Sequence, residues 1–270
     1  MNEVCVEGNN ITDESVGTIK VLFKYGKLNE FTEKIFTHNE IYFSSPDEFN
    51  DPFDSKVHFI CDNTKQGRKY FFHKYFPKIY PRQSKKEILA RVKRIITERK
   101  DEVMVRETLR LSREGLRKKL GICCFTEKRD NILMWAHYAK EHTGFCLEFD
   151  VNNDFFTRTL KVQYDAIWPE LDVMKLDSPG EVGKKLFIKA VDWQYEKEWR
   201  IIDHTKGPGI QNFPEEALIG VILGCRMSEE DKENVFKWCR KRNHPPTFYE
   251  AKEKQKEFGL DIVKIDNVMG

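Results

Sequence analysis

The sequence predicts an α+β fold: a single domain with a mixed, mainly antiparallel sheet and a basic helical insertion. Three observations predict it. Short apolar runs of β type recur from Thr18 to Ile265, whereas Ser84 to Leu120 carries helical spacing throughout. No Gly-rich or Ser-rich linker separates the two kinds of segment. With 270 residues, 40% hydrophobic and 13% aromatic, the chain has enough apolar side chain to fill a sizeable core. The predicted organisation is a loose leader over residues 1–17, one domain over 18–270, and an insertion at about 65–120.

Taken in order, Thr18 to Tyr25 reads as a strand, and Leu28 to Phe36 as a helix with Leu28, Phe31, Ile35 and Phe36 on one side. Glu40 to Ser44 is a second strand. Ser45, Pro46 and Glu48 have the spacing of a capping box opening a short helix, which Asp51-Pro52 stops. Ser84 and Glu87 form another such box, and Ile88, Val92, Ile95 and Ile96 continue it as an apolar stripe. Gly121 to Thr126 is a strand, Asp130 caps a helix over 131–140, and Gly144 to Phe149 is a strand again. Lys161 to Tyr164 reads as a short strand, Gly180 to Val191 as a helix, and Trp193 to Ile202 as a strand. Leu218 to Leu223 is an apolar strand, and Ser228 opens a helix that ends near Arg240-Lys241-Arg242. Thr247 to Glu250 and Phe258 to Ile265 close the chain as strands.

Composition excludes several classes. Lys and Arg total 46 against 44 Asp and Glu, so net charge by itself announces no polyanionic partner. No apolar run approaches the roughly 18 residues of a membrane span, and Met1 to Gly17 lacks the basic and apolar regions of a signal peptide. A cytoplasmic protein with no membrane partner is the expectation. Seven cysteines without a Cys-x-x-Cys fit reduced thiols better than a disulfide framework. There is no phosphate-binding loop, dinucleotide fingerprint, nucleophile elbow or His-Glu-x-x-His.

Chemistry concentrates in Trp193 to Ile202. As a strand, this stretch puts Trp193, Tyr195, Trp199 and Ile201 on one face and Glu196, Glu198 and Arg200 on the other. Paired carboxylates one pleat apart can divide labour, one stabilising a developing cation and the other acting as base. The ordinary alternative is a solvated face neutralised by Arg200 and a nearby lysine. Cys124, His137, His142 and Cys146 are zinc-type donors, but the spacing lacks a knuckle. Buried thiols, a hydrogen-bonded imidazole and no metal are therefore expected. The turn Asn50-Asp51-Pro52-Phe53-Asp54 suits capping or ligand orientation. Trp135 suits core packing, and Tyr138 or His137 suits a pocket wall. Between Ser84 and Leu120, 13 basic side chains face six acidic ones. That surplus makes Lys85, Lys86, Lys93 and Arg94 the candidate contacts for nucleic acid or another acidic partner, against the simpler role of a solvated face.

In combination, several motifs resemble the bacterial domain of unknown function family 2971. They are Phe23-Lys24-Tyr25, Ile41 to Pro46, Phe49 to Asp54, Cys124-Phe125, Met134 to Tyr138, His142-x-Gly144-Phe145, Lys189, and Trp193 to Arg200. The likeness spans about Val21 to Gly224 and supplies no reaction. A second similarity, in residue order, is to ADP-ribosyltransferases. These hold NAD with a polar residue ending a first strand and a Ser or Tyr on the next, and place a late Glu, often in Glu-x-Glu, at the reacting ribose. That resemblance implies an NAD-using transferase acting on a nucleic-acid or protein acceptor. Glu198 would be the catalytic carboxylate and Glu196 would orient the acceptor, with Lys24, Tyr25, Tyr42, Ser44, Asn50, Tyr138 and Arg200 binding the cofactor. Two rivals stand beside it. One is a metal-dependent nuclease or phosphoesterase with Asp51, Asp54, Glu148, Glu196 and Glu198 as magnesium ligands. The other is a non-enzymatic polyanion- or partner-binding module.

Overall fold

The computed structural model describes residues 19–175 and 179–266. The predicted leader lies outside them, and Cys5 with it. The first strand, β1 (Val21–Gly26), is followed by α1 (Thr32–Thr37) and β2 (Glu40–Phe43). The predicted helix from Leu28 begins only at Thr32, because Asn29 takes the Phe31 N–H on its side-chain oxygen and ties its own N–H to the Thr32 hydroxyl. Ser45 caps a single 3-10 turn, Pro46–Glu48, but the reciprocal half of the box is missing. The Glu48 carboxylate accepts the Tyr42 hydroxyl instead.

After β3 (His58–Ile60) come three helices, α2 (Lys65–Ile79), α3 (Lys85–Thr97) and α4 (Asp101–Lys119). The capping box of Ser84 and Glu87 closes in both directions. The stretch predicted as helical throughout is broken at Arg99, whose φ of 55° lies in the left-handed region and turns the chain back. Phe71, Phe72, Phe76, Ile88, Val92 and Ile95 give these helices an apolar cluster of their own.

Next come β4 (Gly121–Thr126), α5 (Ile132–Tyr138) and β5 (Phe145–Asp150). The cap of α5 is Asn131, one residue after the predicted Asp130; its Oδ1 accepts the N–H groups of Leu133 and Met134. The predicted strand around Lys161 is two pieces, β6 (Leu160–Lys161) and β7 (Gln163–Asp165), followed by β8 (Glu170–Asp172), α6 (Pro179–Lys185) and β9 (Ile188–Ala190). The break falls at Val162, whose N–H donates to the Glu198 carbonyl. The helix predicted to reach Val191 therefore ends at Lys185, and the chain re-enters as β9, parallel to β7.

The stretch from Trp193 to Ile202 is not one strand. Residues Val191–Glu196 form a 3-10 helix, Lys197 turns at φ 47°, and only then does β10 (Glu198–Asp203) begin. Trp193 and Tyr195 therefore do not share a strand face with Trp199 and Ile201, which sit in the core. The chain closes with β11 (Gly209–Asn212), β12 (Leu218–Leu223), α7 (Glu229–Cys239), β13 (Thr247–Glu253) and β14 (Leu260–Lys264).

Eight strands make the main sheet, in the order β14-β13-β12-β5-β1-β4-β10-β6. Among the described residues of this sheet only β12 and β13 pair in parallel, so the fold is α+β with a mixed, mainly antiparallel sheet, as predicted. One face packs on α1, α7 and the β2–β11 ribbon through Phe36, Phe43, Phe149 and Val235. The other packs on α5 through Met134 and Trp135. Burial on both faces makes the central strands β1, β4 and β5 a rigid floor. The six described cysteines are free. Among the described residues no helix is long and apolar enough to cross a membrane.

Gly144 shows how tightly the floor is built. A Cβ there would stand 2.2 Å from the Gly26 carbonyl oxygen and 3.0 Å from that of Ala139. Both contacts are backbone, so neither can swing away. Gly144→Ala is expected to lower stability by about 1–3 kcal/mol, the usual range for overpacking, read as a shifted midpoint in urea at unchanged slope.

Candidate active site

The cleft is built where β1, β4 and β10 present neighbouring side chains beneath the loop from Phe49 to Ser55. Glu198 and Arg200 alternate with core residues along β10, so both point to the same side. That side is buried, not solvated. Arg200 is 0% exposed and Glu198 3%. Arg200 Nε lies 2.6 Å from Glu198 Oε1 and Nη2 2.9 Å from Oε2, a two-point grip that the planar guanidinium suits. Nη2 also reaches Asp54 Oδ2 at 2.7 Å, and Nη1 reaches the Ser55 hydroxyl at 3.0 Å.

Lys189, from β9, completes the cluster. Its ammonium lies 2.5 Å from Glu196 Oε2, 2.9 Å from Glu198 Oε2 and 3.3 Å from Asp54 Oδ2. Asp54, Glu196 and Glu198 thus face Lys189 and Arg200, leaving one unit of negative charge in excess when all five are ionised. Glu196 and Glu198 are neighbours because of the left-handed turn at Lys197, not because of a strand pleat. The Tyr138 hydroxyl donates to Glu196 Oε1 at 2.6 Å, and the Glu198 N–H donates to the Tyr164 hydroxyl at 2.8 Å.

The two carboxylates differ electrostatically. Burial pushes the Glu196 carboxyl up, and Lys189 only partly offsets it. Burial also opposes ionisation of Glu198, but Arg200 and then Lys189 override it and hold that carboxyl well below the usual range. The Lys189 ammonium is disfavoured by burial, yet Glu198, Asp54 and Glu196 together hold it well above its ordinary value. Burial pushes the Tyr138 hydroxyl and the Cys124 thiol up, with Glu196 and Glu198 respectively adding to the shift.

Because Glu198 titrates lower in the folded chain than in the unfolded one, its contribution to stability is present above the unfolded value of about 4.3 and lost below it. Glu196, shifted the other way, contributes in acid and loses that contribution as pH rises. Unfolding temperature is expected to fall as pH drops below about 4.3, and Glu198→Gln should flatten that fall. Thermal melts between pH 3 and 7 check both.

These groups floor a cavity of about 320 Å³ also lined by Lys24, Tyr25, Ser44, Asn50 and Tyr138. Lys24, Tyr25 and Ser44 also line a second, mostly apolar chamber of about 520 Å³, with Ile41, Tyr42 and Phe145. Of the predicted site residues, Glu198, Glu196, Lys24, Tyr25, Ser44, Asn50 and Tyr138 therefore meet in the charged chamber. Tyr42 belongs only to the apolar one and is 49% exposed. Arg200 lies behind Glu198 and lines neither chamber. Lys24 Nζ donates to the Cys124 carbonyl at 3.1 Å, and the Tyr25 hydroxyl donates to that of Lys128 at 2.9 Å.

Residues 134–201 match a family model described as protein of unknown function (DUF2971). No curated protein and no solved structure matches the chain. The matched segment runs from Met134 in α5 into β10 and so contains Tyr138, Lys189, Glu196, Glu198 and Arg200. Lys24, Ser44, Asn50 and Asp54 come from outside it.

Sequence reasoning does not assign Lys189 or Tyr164 to the site. Lys189 has a signal, its place in the motif order; Tyr164 has none. Of the five proposed magnesium ligands, the fold brings Asp54, Glu196 and Glu198 together but around the Lys189 ammonium. Asp51 is occupied with the Phe53 N–H, and Glu148 faces Arg129 at 3.8 Å. No group of three or more acidic, His or Cys side chains among the described residues is placed to hold a metal ion. Cys146 is buried in the core, and His142 stacks on Trp135 at 6.3 Å, apart from Cys124 in the cleft.

Proposed function

We propose that the protein is an ADP-ribosyltransferase-like enzyme that uses NAD as its substrate, with the charged chamber as the reacting end. One observation carries this reading: β1, the end of β2 and the Glu196-x-Glu198 segment converge on one cleft whose depth gathers three carboxylates around two cations. NAD would supply a glycosidic bond whose cleavage develops positive charge on the ribose. A fixed carboxylate cluster, shielded from water, stabilises such charge without having to reorganise. Lys24, Tyr25 and Ser44 stand where a ligand extending through both chambers would pass.

The roles of the two carboxylates exchange relative to those implied by residue order. Both oxygens of Glu198 are engaged by Arg200 or Lys189, which suits a positioning residue. Glu196 holds Lys189 on Oε2 but takes only the Tyr138 hydroxyl on Oε1, and burial raises its carboxyl, the direction that suits a group exchanging a proton. Nicotinamide release from NAD, measured by chromatography with RNA, DNA and cell protein supplied as acceptors, tests the reading. Release that depends on Glu196 is expected; no release with any acceptor would end it.

A further inference from the structure

Beside the charged chamber lies a surface that the pocket chemistry does not use. Phe53, 58% exposed, and Trp168, 48% exposed, hold their rings 5.6 Å apart on two different loops. The Lys56 ammonium stands over both, 5.6 Å from the first ring centre and 6.0 Å from the second. The loops are fixed in place. The Asp165 carboxylate accepts the Ile167 N–H, the His58 N–H donates to the Pro169 carbonyl, and β3 pairs with β8. Large aromatic side chains are costly to leave in water, so a rigid exposed pair with a cation above it is a candidate stacking shelf.

Two residues on from Lys56, His58 and Phe59 line a cleft of about 510 Å³ together with Leu109, Arg106, Arg110 and Arg113 of α4. Arg110 is held by Glu107 and Glu114, and Glu102 lies on the rim. Lys56, Arg106 and Arg113 are in no ion pair among the described residues. From Arg106 to Arg113 the helix advances about 10 Å. Phe53 immediately precedes Asp54, which lines the charged chamber.

We infer that the shelf and the arginine groove form a binding track for single-stranded nucleic acid, with bases on Phe53 and Trp168 and backbone phosphates along Lys56, Arg106 and Arg113. Aromatic faces stack on any base, and a cationic groove tracks the phosphates. A duplex would bury its bases and lose the shelf. Of the five basic residues on α3, Lys85, Lys86, Lys93 and Arg94 are exposed but line neither this groove nor the chambers.

Fluorescence anisotropy with labelled twelve-residue oligothymidylate and oligouridylate tests the track without NAD, so its result is independent of nicotinamide release. The wild-type chain should bind both single strands more tightly than a duplex of the same length. Phe53→Ala and Trp168→Ala should each weaken binding roughly fivefold to 150-fold, the span of one lost stacking contact, whereas Trp168→Phe should retain it. Arg106→Gln with Arg113→Gln should reduce the slope of log affinity against log salt by about 1.4, which is 0.7 for each phosphate contact. All these side chains lie at the surface of the groove or shelf, and thermal melts would verify that the variants fold. Absence of oligonucleotide binding, equal binding of duplex, or shelf variants that bind as wild type would overturn the inference. So would polyglutamate binding that is as tight and as sensitive to the shelf substitutions.

Discussion

Arg200→Met is expected to lower stability by about 3–5 kcal/mol, the range for breaking a buried pair by removing one partner. Arg200 has no solvent exposure, and its removal would leave Glu198 and Asp54 sharing only Lys189. Methionine fills much of the space but offers no donor to either carboxylate or to the Ser55 hydroxyl. The penalty comes from uncompensated charge, not lost volume. The double substitution Arg200→Met with Glu198→Leu should therefore cost less than Arg200→Met alone, because it removes a cation and an anion together. Urea unfolding of the wild type, the two single variants and the double variant measures this coupling. Additive losses would mean that the cluster is not an interdependent network.

Glu196→Gln is expected to reduce nicotinamide release by about 10²–10⁴-fold, the usual contribution of a positioned acid or base. The amide oxygen can still accept from Tyr138 or Lys189, so the fold should survive. Near-wild-type melting with lost turnover is the diagnostic pair of results. Glu198→Gln should differ, losing stability along with activity, because Glu198 holds Arg200 and Lys189 in place. If Glu198→Gln removed turnover without affecting stability, while Glu196→Gln left turnover intact, the assignment of roles would be reversed.

Much of the fold is legible in the sequence. Gly121 to Thr126 and Leu218 to Leu223 can be read to the residue because a short apolar run, bounded at each end, has few other ways to be buried. The helix opened by Ser84 and Glu87 is legible because a cap is a local hydrogen-bonding device. Errors arise where local pattern loses to a side-chain or backbone competitor. The left-handed residues Arg99 and Lys197 interrupt runs whose spacing looks continuous, and neither is a glycine that would signal a turn. The α2 helix escapes separate notice although Thr64 caps it and Phe72 and Phe76 are four apart.

By itself the sequence determined where most strands of the main sheet lie and the mixed fold class, and it singled out Trp193 to Ile202 as the candidate stretch for chemistry. It also marked Glu198 and Arg200 as partners, since alternation along a strand is a local property. Only the tertiary structure decided that their face is buried, that Asp54 crosses 146 positions to reach Arg200, and that Lys189 stands among three carboxylates. It also separated Glu196 from Glu198 in electrostatic setting. The reason is that burial and Coulomb interaction act through space: an ionised side chain acquires its energy from what surrounds it, and no spacing along the chain specifies which distant loop will close over a strand.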